Sequence, residues 1–213
     1  MSPAPDWLRW ARTLQGLAQT GLHYASDPFD SERYAAVRRI AAEIAASGAN
    51  ADVALVENFF TSERGYPTPK IDVRAAVIAD GRILPVREHD DGGWSMPGGW
   101  ADVGESASEA AVRETHEEAG VTVRAVKLIA LYERERRGHP VHPEFSYKVF
   151  FLCEPIDGAA ERSAPVPGSH ETTEAKWFER GDLPDLSLAR ITPEEVATAF
   201  EHHRDPTLAS EFD

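Results

Sequence analysis

The spacing of apolar residues changes once along the 213-residue chain, and this change constrains the fold more than any other feature. Before Gly65, Pro67 and Pro69 the apolar positions recur every three or four residues, which is the spacing of amphipathic helices. Beyond them, short runs rich in β-branched and aromatic residues are separated by turn signals, which is typical of strands. We therefore expect a helical region over residues 1–66 and a mixed α/β region over residues 67–213.

Three helices are predicted in the N-terminal region. An apolar stripe from Trp7 to Leu22 predicts the first; Pro28 is expected to break the chain, and Asp30 to cap a second. A short third helix is expected after Asn50. The apolar stripes need a partner surface, either the second region or a second copy of the chain. We expect a homodimer in which these helices help to build the interface.

The second region has local signals for most of its elements. Asp80-Gly81 predicts a turn between strands at 73–79 and 83–86, and Ser106 with Glu109 has the spacing of a capping box at the start of a helix. The remaining expected elements are strands at 121–132, 145–153 and 174–179, and a final helix capped by Thr192, Pro193 and Glu195.

The composition excludes several classes of protein. With 22 basic and 36 acidic residues the net charge is −14, which disfavours stable binding to nucleic acid or to an anionic membrane. A single cysteine, Cys153, excludes an internal disulfide and a cysteine-based zinc site, and we expect it to be a small buried hydrophobe. No apolar run reaches the ~18 residues of a membrane span, so we expect a soluble, cytoplasmic protein.

Three carboxylates in the helix after the glycine-rich loop carry the strongest chemical signal. Glu114, Glu117 and Glu118 stand at i, i+3 and i+4, so they share one helix face, and Arg113 is the one cation within that turn. A solvated acidic face is the simpler interpretation of such a cluster. Oxygen ligands beside a glycine loop, however, suit Mg²⁺ or Mn²⁺ shared with substrate phosphates.

The same residues carry a family resemblance. Gly99, Glu105 and the run from Arg113 to Val121 resemble a complete Nudix box, in which only Thr115 departs from the usual aliphatic residue. The resemblance implies an α/β/α sandwich with a mixed β-sheet, preceded here by a small helical domain. It also implies these roles: metal ligation by Glu114, Glu117, Glu118 and the Gly99 carbonyl, orientation of these glutamates by Arg113, and ligation or bracing of the loop by Glu105.

The N-terminal helices resemble the extension of a bacterial Nudix subgroup that includes CDP-choline pyrophosphatases, through the stretch 21–34. Two later stretches, 139–143 and 183–188, resemble the same subgroup. This resemblance implies hydrolysis of a nucleoside diphosphate linked to another moiety, CDP-choline first and ADP-ribose second. Two alternatives stay open. One is hydrolysis of RNA 5′ ends or of a modified nucleotide, and the other is a ligand-sensing module without turnover.

The general base and the substrate contacts are less constrained. The candidate bases are Glu114 and Glu171, of which Glu171 lies in the loop 165–173. Glu144 and Glu174 are weaker candidates. The candidate substrate-binding residues are Arg74, Trp100, His142 and Lys148. Each has a plainer alternative: an ordinary ion pair for the two cations, core packing for the tryptophan, and a rigid proline loop for the histidine.

Overall fold

A computed structural model of the chain describes residues 5–142, 144–156 and 170–213. Contacts divide the chain into two compact units, one ending at Thr68 and the other beginning at Pro69; the sequence placed the boundary after residue 66. In the described residues no helix is long and apolar enough to cross a membrane.

The first unit is built from three helices: α1 (Asp6–Tyr24), α2 (Pro28–Ala49) and α3 (Val53–Ser62). The expected cap of α2 is wrong, because Asp27 accepts the hydrogen bond from the Phe29 N–H at 2.7 Å. Pro28 therefore begins the helix rather than breaking the chain before it, since proline at the first helical position has no N–H to leave unpaired.

Close packing in the helical unit depends on small residues. A Cβ added at Gly21 would overlap the Tyr34 ring, and one added at Gly48 would overlap the Trp7 ring. The buried core is correspondingly small, and several large apolar side chains of the unit stay exposed. They include Trp10, Leu17, Tyr24, Phe29 and Leu55.

The second unit is an α/β/α sandwich, as the resemblance implied. Its strands are β1 (Lys70–Ala79), β2 (Arg82–Ile83), β3 (Val86–Glu88), β4 (Trp94–Ser95), β5 (Val123–Glu133), β6 (Ser146–Pro155), β7 (Thr172–Ala175), β8 (Phe178–Glu179) and β9 (Glu211–Phe212). The larger sheet has the order β8-β2-β1-β6-β5-β9 and mixes parallel and antiparallel pairs, and a smaller sheet has the order β4-β3-β7. The helices are α4 (Ala107–Ala119) and α5 (Pro193–Arg204).

The alternation of side chains along β1 places one core on each face of the larger sheet. Val73, Ala75 and Val77 pack into a cluster with the alanines of α4. Ala76 and Ile78 point the other way and join a cluster that includes Val196, Ala199 and Phe200 of α5. Because side chains alternate between two faces and both faces are buried, nearly every position of this central strand is apolar.

Two predicted strands are each divided in the structure. The run 83–86 forms β2 and β3, which belong to different sheets and are separated by Leu84 and Pro85. The run 174–179 contributes to β7 in the small sheet and to β8 in the large one. Proline lacks an N–H, so Pro85 cannot donate to a sheet ladder, and the chain changes sheet there.

Candidate active site

The glycine-rich loop lies against β1. The Ala75 N–H donates to the Pro97 carbonyl and the Val73 N–H to the Gly99 carbonyl, both at 2.8 Å. Gly98 has φ +147°, and a Cβ there would overlap the Val73 carbonyl oxygen. The backbone can therefore approach β1 this closely only with glycine at position 98.

Helix α4 begins with the predicted capping box. Ser106 accepts from the Glu109 N–H at 3.3 Å, Glu109 accepts from the Ser106 N–H at 2.8 Å, and Gly120 ends the helix with φ +67°. Ala110 and Ala111 are fully buried, so the helix lies close to the sheet. This placement brings Glu114 and Glu118 next to the glycine loop.

The acidic turn is partly neutralised by Arg113. Its Nη1 lies 3.0 Å from both Glu114 and Glu117, and its Nε and Nη2 donate to the two oxygens of Glu105 at 3.1 and 2.8 Å. These bonds lower the pKa of the Glu105 carboxyl to about 2. Glu105 is thus ionised at neutral pH and braces the arginine, and its backbone partner, the Asp102 N–H at 2.8 Å, ties both to the loop.

Burial is the main influence on the pKa of the two glutamates beside the glycine loop, Glu118 and Glu114. Glu118 is 4% exposed and accepts from the Gly98 N–H at 2.9 Å, yet burial raises the pKa of its carboxyl to about 8. Burial also raises the pKa of Glu114, with Arg113 acting against it. The charged forms of both groups are penalised, which is the condition that an added cation relieves.

A cavity of about 790 Å³ opens above these residues. Its size is within the usual range for small-molecule sites. The residues that line it are Asp72, Arg74, Glu88, His89, Asp90, Gly98, Gly99, Trp100, Asp102, Arg113, Glu114, Glu118, Arg134, His142, His170, Glu171, Ala189 and Arg190.

The donor set fits a hard divalent cation. Glu114, Glu118 and Gly99 all line the cavity, and an added Cβ at Gly99 would lie 3.2 Å from Glu114 Oε1, so the loop and the carboxylate are adjacent. Carboxylate and carbonyl oxygens are the ligands that such a cation prefers. Glu117 is exposed and bonded to Arg113. Within the described part of the chain, no three His, Cys, Asp or Glu side chains already form a metal site.

The structure brings most of the other candidate residues to the same cavity. Glu171 lines it where β7 begins, and its carbonyl accepts from the His89 N–H at 2.9 Å. Trp100 is 44% exposed with the Lys70 ammonium 5.9 Å from its ring centre, so it offers a face to a ligand. His142 also lines the wall. The part of the predicted loop at 165–169 lies outside the described residues.

Arg74 and Lys148 share one buried partner. Arg74 Nε donates to Asp72 at 2.9 Å, and Lys148 Nζ donates to the other Asp72 oxygen at 2.8 Å. Arg74 reaches the cavity, but the Lys148 side chain is fully buried and is not part of the cavity lining. Lys148 therefore fits the alternative of an ordinary ion pair better than it fits direct contact with the substrate.

Two weaker candidates have ordinary partners. Glu144 pairs with Lys70 at 3.3 Å, and Glu174 pairs with Arg87 at 2.8 Å; neither lines the cavity. Cys153 is fully buried, as expected.

The sequence did not reveal two arginines and four acids of the cavity, which are Arg134, Arg190, Asp72, Glu88, Asp90 and Asp102. Arg134, Arg190 and Glu88 come from separate segments and share no motif. The one available hint was that Arg190 closely follows the stretch 183–188, which the subgroup resemblance had already singled out.

Comparisons with known proteins agree with this architecture. A profile of the NUDIX domain matches residues 68–200, and a profile described as a UDP-X-like, N-terminal oligomerisation domain matches residues 5–60. The Bacillus subtilis protein YjhB, provisionally named an ADP-ribose pyrophosphatase, is 36% identical over 207 residues, covering 97% of each chain.

Two solved structures are similar as well. An ADP-ribose pyrophosphatase from Streptococcus suis is 38% identical, with a TM-score of 0.59 over 68% of this chain and 100% of that one. A UDP-X diphosphatase is 27% identical, with a TM-score of 0.61 and complete coverage of both chains.

Proposed function

The chain belongs to the NUDIX family of hydrolases, and from this premise we propose that it is a metal-dependent pyrophosphohydrolase of nucleoside diphosphates linked to a second moiety. Water cleaves the diphosphate, and the products are a nucleoside monophosphate and the phosphorylated second moiety. The observation that carries the proposal is the pair of buried carboxylates, Glu114 and Glu118, beside the glycine loop in one cavity.

We assign the metal to Glu114, Glu117, Glu118 and the Gly99 carbonyl, with Mg²⁺ or Mn²⁺ as the ion. A divalent ion would offset the charge of the diphosphate and lower the pKa of a coordinated water. Arg113, braced by Glu105, orients the glutamates. Phosphoryl transfer mainly needs this positioning and charge compensation.

Glu171 is our first candidate for the general base, and Glu114 is the alternative. Both carboxylates line the cavity, and we prefer Glu171 because Glu114 is already assigned to the metal. If Glu171 takes the proton from water, Glu171→Gln lowers kcat about 10²- to 10⁴-fold with little change in metal binding. Unchanged kcat would move the role to Glu114.

ADP-ribose is the first substrate that we propose, and CDP-choline is the second. This order reverses the expectation from the sequence, because the full-length relative and the Streptococcus suis structure carry ADP-ribose in their names. The full-length structural neighbour is named for UDP-X substrates, so a UDP-linked sugar belongs in the same assay.

The deciding experiment is product analysis with Mg²⁺ and equal concentrations of ADP-ribose, CDP-choline and a UDP-sugar. Release of AMP and ribose 5-phosphate that Glu118→Gln lowers at least about 100-fold would support the proposal. Glu201→Gln is the matched control, because Glu201 lies on α5 in a long, exposed ion pair of 3.8 Å. Cleavage that persists in Glu118→Gln would contradict the metal assignment.

The same panel tests the two other functions. Faster cleavage of 5′-triphosphate RNA would favour RNA-end hydrolysis, which the net charge of −14 disfavours. An RNA pyrophosphohydrolase from Mesorhizobium japonicum does match, but over only 51% of this chain. Binding without turnover would favour a ligand sensor, although all the glutamates of the box are present.

We also propose that the helical unit forms a homodimer. Trp10, Leu17 and Tyr24 follow one another at seven-residue intervals on α1 and are all exposed, which leaves an apolar stripe for a second copy to cover. The description of the matching N-terminal profile supports this. Light scattering should give twice the chain mass of 23.4 kDa, and a monomer mass at micromolar concentration would contradict it. A cytoplasmic location stays a prediction from the sequence.

A further inference from the structure

Three successive backbone carbonyls, those of residues 188–190, each accept a hydrogen bond from a basic side chain. The donors are His139 Nδ1 to Leu188 at 2.9 Å, Arg134 Nη2 to Ala189 at 2.8 Å, and Lys148 Nζ to Arg190 at 2.7 Å. We call this arrangement the carbonyl clamp. It fixes the orientation of three consecutive peptide groups at the edge of the cavity.

Each donor of the clamp is itself anchored by a second bond. Arg134 also donates to the Pro140 carbonyl at 2.6 Å, His139 Nε2 lies 2.9 Å from Glu195, and Lys148 donates to Asp72. All three side chains are buried. Burying basic groups is costly unless they are bonded, and here three buried groups donate to one short segment, so its backbone is held in one position.

The clamp ends at Arg190, whose side chain lines the cavity. Its Nη2 donates to Asp90 at 2.9 Å, its Nε lies 3.3 Å from Glu88, and its Nη1 donates to Ser187 at 3.3 Å. The Arg190 side chain keeps 28% of its surface exposed, whereas that of Arg74, deeper in the cavity, keeps 6%. The Arg190 side chain is therefore accessible to a ligand while its backbone stays fixed.

Each guanidinium nitrogen of Arg190 has a partner, and the bond to Asp90 is the one most readily exchanged. The Asp90 side chain is 64% exposed, and an ion pair in such contact with water contributes little. A guanidinium has five N–H donors in a planar fork that matches phosphate oxygens, so a phosphate can replace the exposed carboxylate. Arg190 and Glu118 both line the cavity but have separate partners, which are Glu88 and Asp90 for Arg190 and the Gly98 N–H for Glu118.

We propose that Arg190 binds the substrate phosphate farther from Glu114 and Glu118, and that Arg134, His139 and Lys148 are positioning residues that aim it. The inference rests on the proposed diphosphate substrate. It separates two tasks in the cavity, with the glutamates serving the metal and Arg190 holding the other end of the diphosphate.

The first test compares Arg190→Gln and Arg190→Lys in steady-state hydrolysis of ADP-ribose. Loss of a charge-assisted phosphate contact should raise KM about 10- to 100-fold in Arg190→Gln and leave kcat within about threefold. Added guanidinium ion should restore part of the lost affinity. Arg87→Gln, an exposed arginine on the neighbouring strand β3, is the matched control and should leave KM unchanged.

The clamp is tested by a double-mutant cycle with His139→Gln, which is a milder change than removing the Lys148 charge. If His139 acts through Arg190, His139→Gln raises KM in the wild-type background but adds little in the Arg190→Gln background. Additive effects on KM would show that His139 has a structural role only, and would overturn this part of the proposal.

Calorimetric binding of ADP-ribose separates this inference from the proposed function. Binding of ADP-ribose that weakens in Arg190→Gln, when the wild type hydrolyses none of the three substrates, would refute the proposed function and keep the phosphate contact. Hydrolysis and binding that are both unchanged in Arg190→Gln would overturn the inference alone. No binding of ADP-ribose, CDP-choline or a UDP-sugar by the wild type would overturn both.

Discussion

Gly98→Ala tests whether the close approach of the glycine loop to β1 sets the geometry of the acidic turn. A methyl group at Gly98 would overlap the Val73 carbonyl oxygen and lie 2.9 Å from its carbonyl carbon. Both partners are backbone atoms of a central strand, so the loop has to move. Gly104→Ala is the matched control, because Gly104 has φ +103° but nothing within 4 Å of the added Cβ.

The magnitude follows from the bonds that the displaced loop would lose. The unfavourable φ costs about 1–3 kcal/mol in either variant. In Gly98→Ala the two 2.8 Å bonds from Val73 and Ala75 to the loop are lost in addition, at about 1 kcal/mol each. We therefore expect Gly98→Ala to lower the free energy of unfolding by roughly 2 kcal/mol more than Gly104→Ala.

Urea unfolding followed by circular dichroism measures both variants, and ADP-ribose hydrolysis measures the site. Displacement of the loop also removes the Gly98 N–H from Glu118, so Gly98→Ala should lose activity that Gly104→Ala retains. Equal stability and equal activity in the two variants would refute the reasoning, because it would mean that the contact with Val73 contributes nothing.

Three further predictions concern other parts of the second unit. Burial raises the pKa of the Cys153 thiol to about 12, so a chromogenic disulfide reagent at pH 8 should react with one thiol per chain only in denaturant. Because the thiol of the unfolded chain ionises at lower pH than that of the folded chain, the wild type should lose stability between pH 9 and 12. Cys153→Ala should not show this loss. Thr192→Ala removes the N-cap of α5, which accepts from the Glu195 N–H at 3.3 Å, and should cost about 1 kcal/mol in urea unfolding; an unchanged midpoint would contradict the capping role. Mg²⁺ should raise the thermal midpoint of the wild type more than that of Glu118→Gln, and EDTA should abolish hydrolysis; equal shifts in the two proteins would place the ion elsewhere.

Features set by neighbouring residues were predictable from the sequence. The capping boxes at Ser106 and Thr192 and the left-handed Gly120 depend on groups three or four residues apart, so the local pattern contains all the partners. The helix face shared by Glu114 and Glu118 follows from the same periodicity.

The start of α2 was mispredicted although its partners are neighbours too. Proline at position 28 can either precede a helix or begin it, and the hydrogen bond that the Asp27 carboxylate accepts from the Phe29 N–H decides between them.

Features set by distant contacts were not predictable from the local pattern. Arg190 reaches the cavity because residues 134, 139 and 148 hold its peptide group and its neighbours in place. Its own sequence neighbourhood has no periodicity or motif that shows this.

The pairing of Asp72 with Lys148 has a consequence for how the central strands find each other. These residues are direct cross-strand partners in the parallel pair β1–β6, on the sheet face that continues into Ala76 and Phe150. A slip of one residue would turn Lys148 toward the opposite core, which is mostly apolar, and separate its buried charge from Asp72, whereas Asp72 would keep Arg74 as a partner. Apolar residues can exchange one buried neighbour for another, whereas a buried charge without its partner is strongly unfavourable. The ion pair therefore favours one alignment of β1 and β6 over shifted ones during folding.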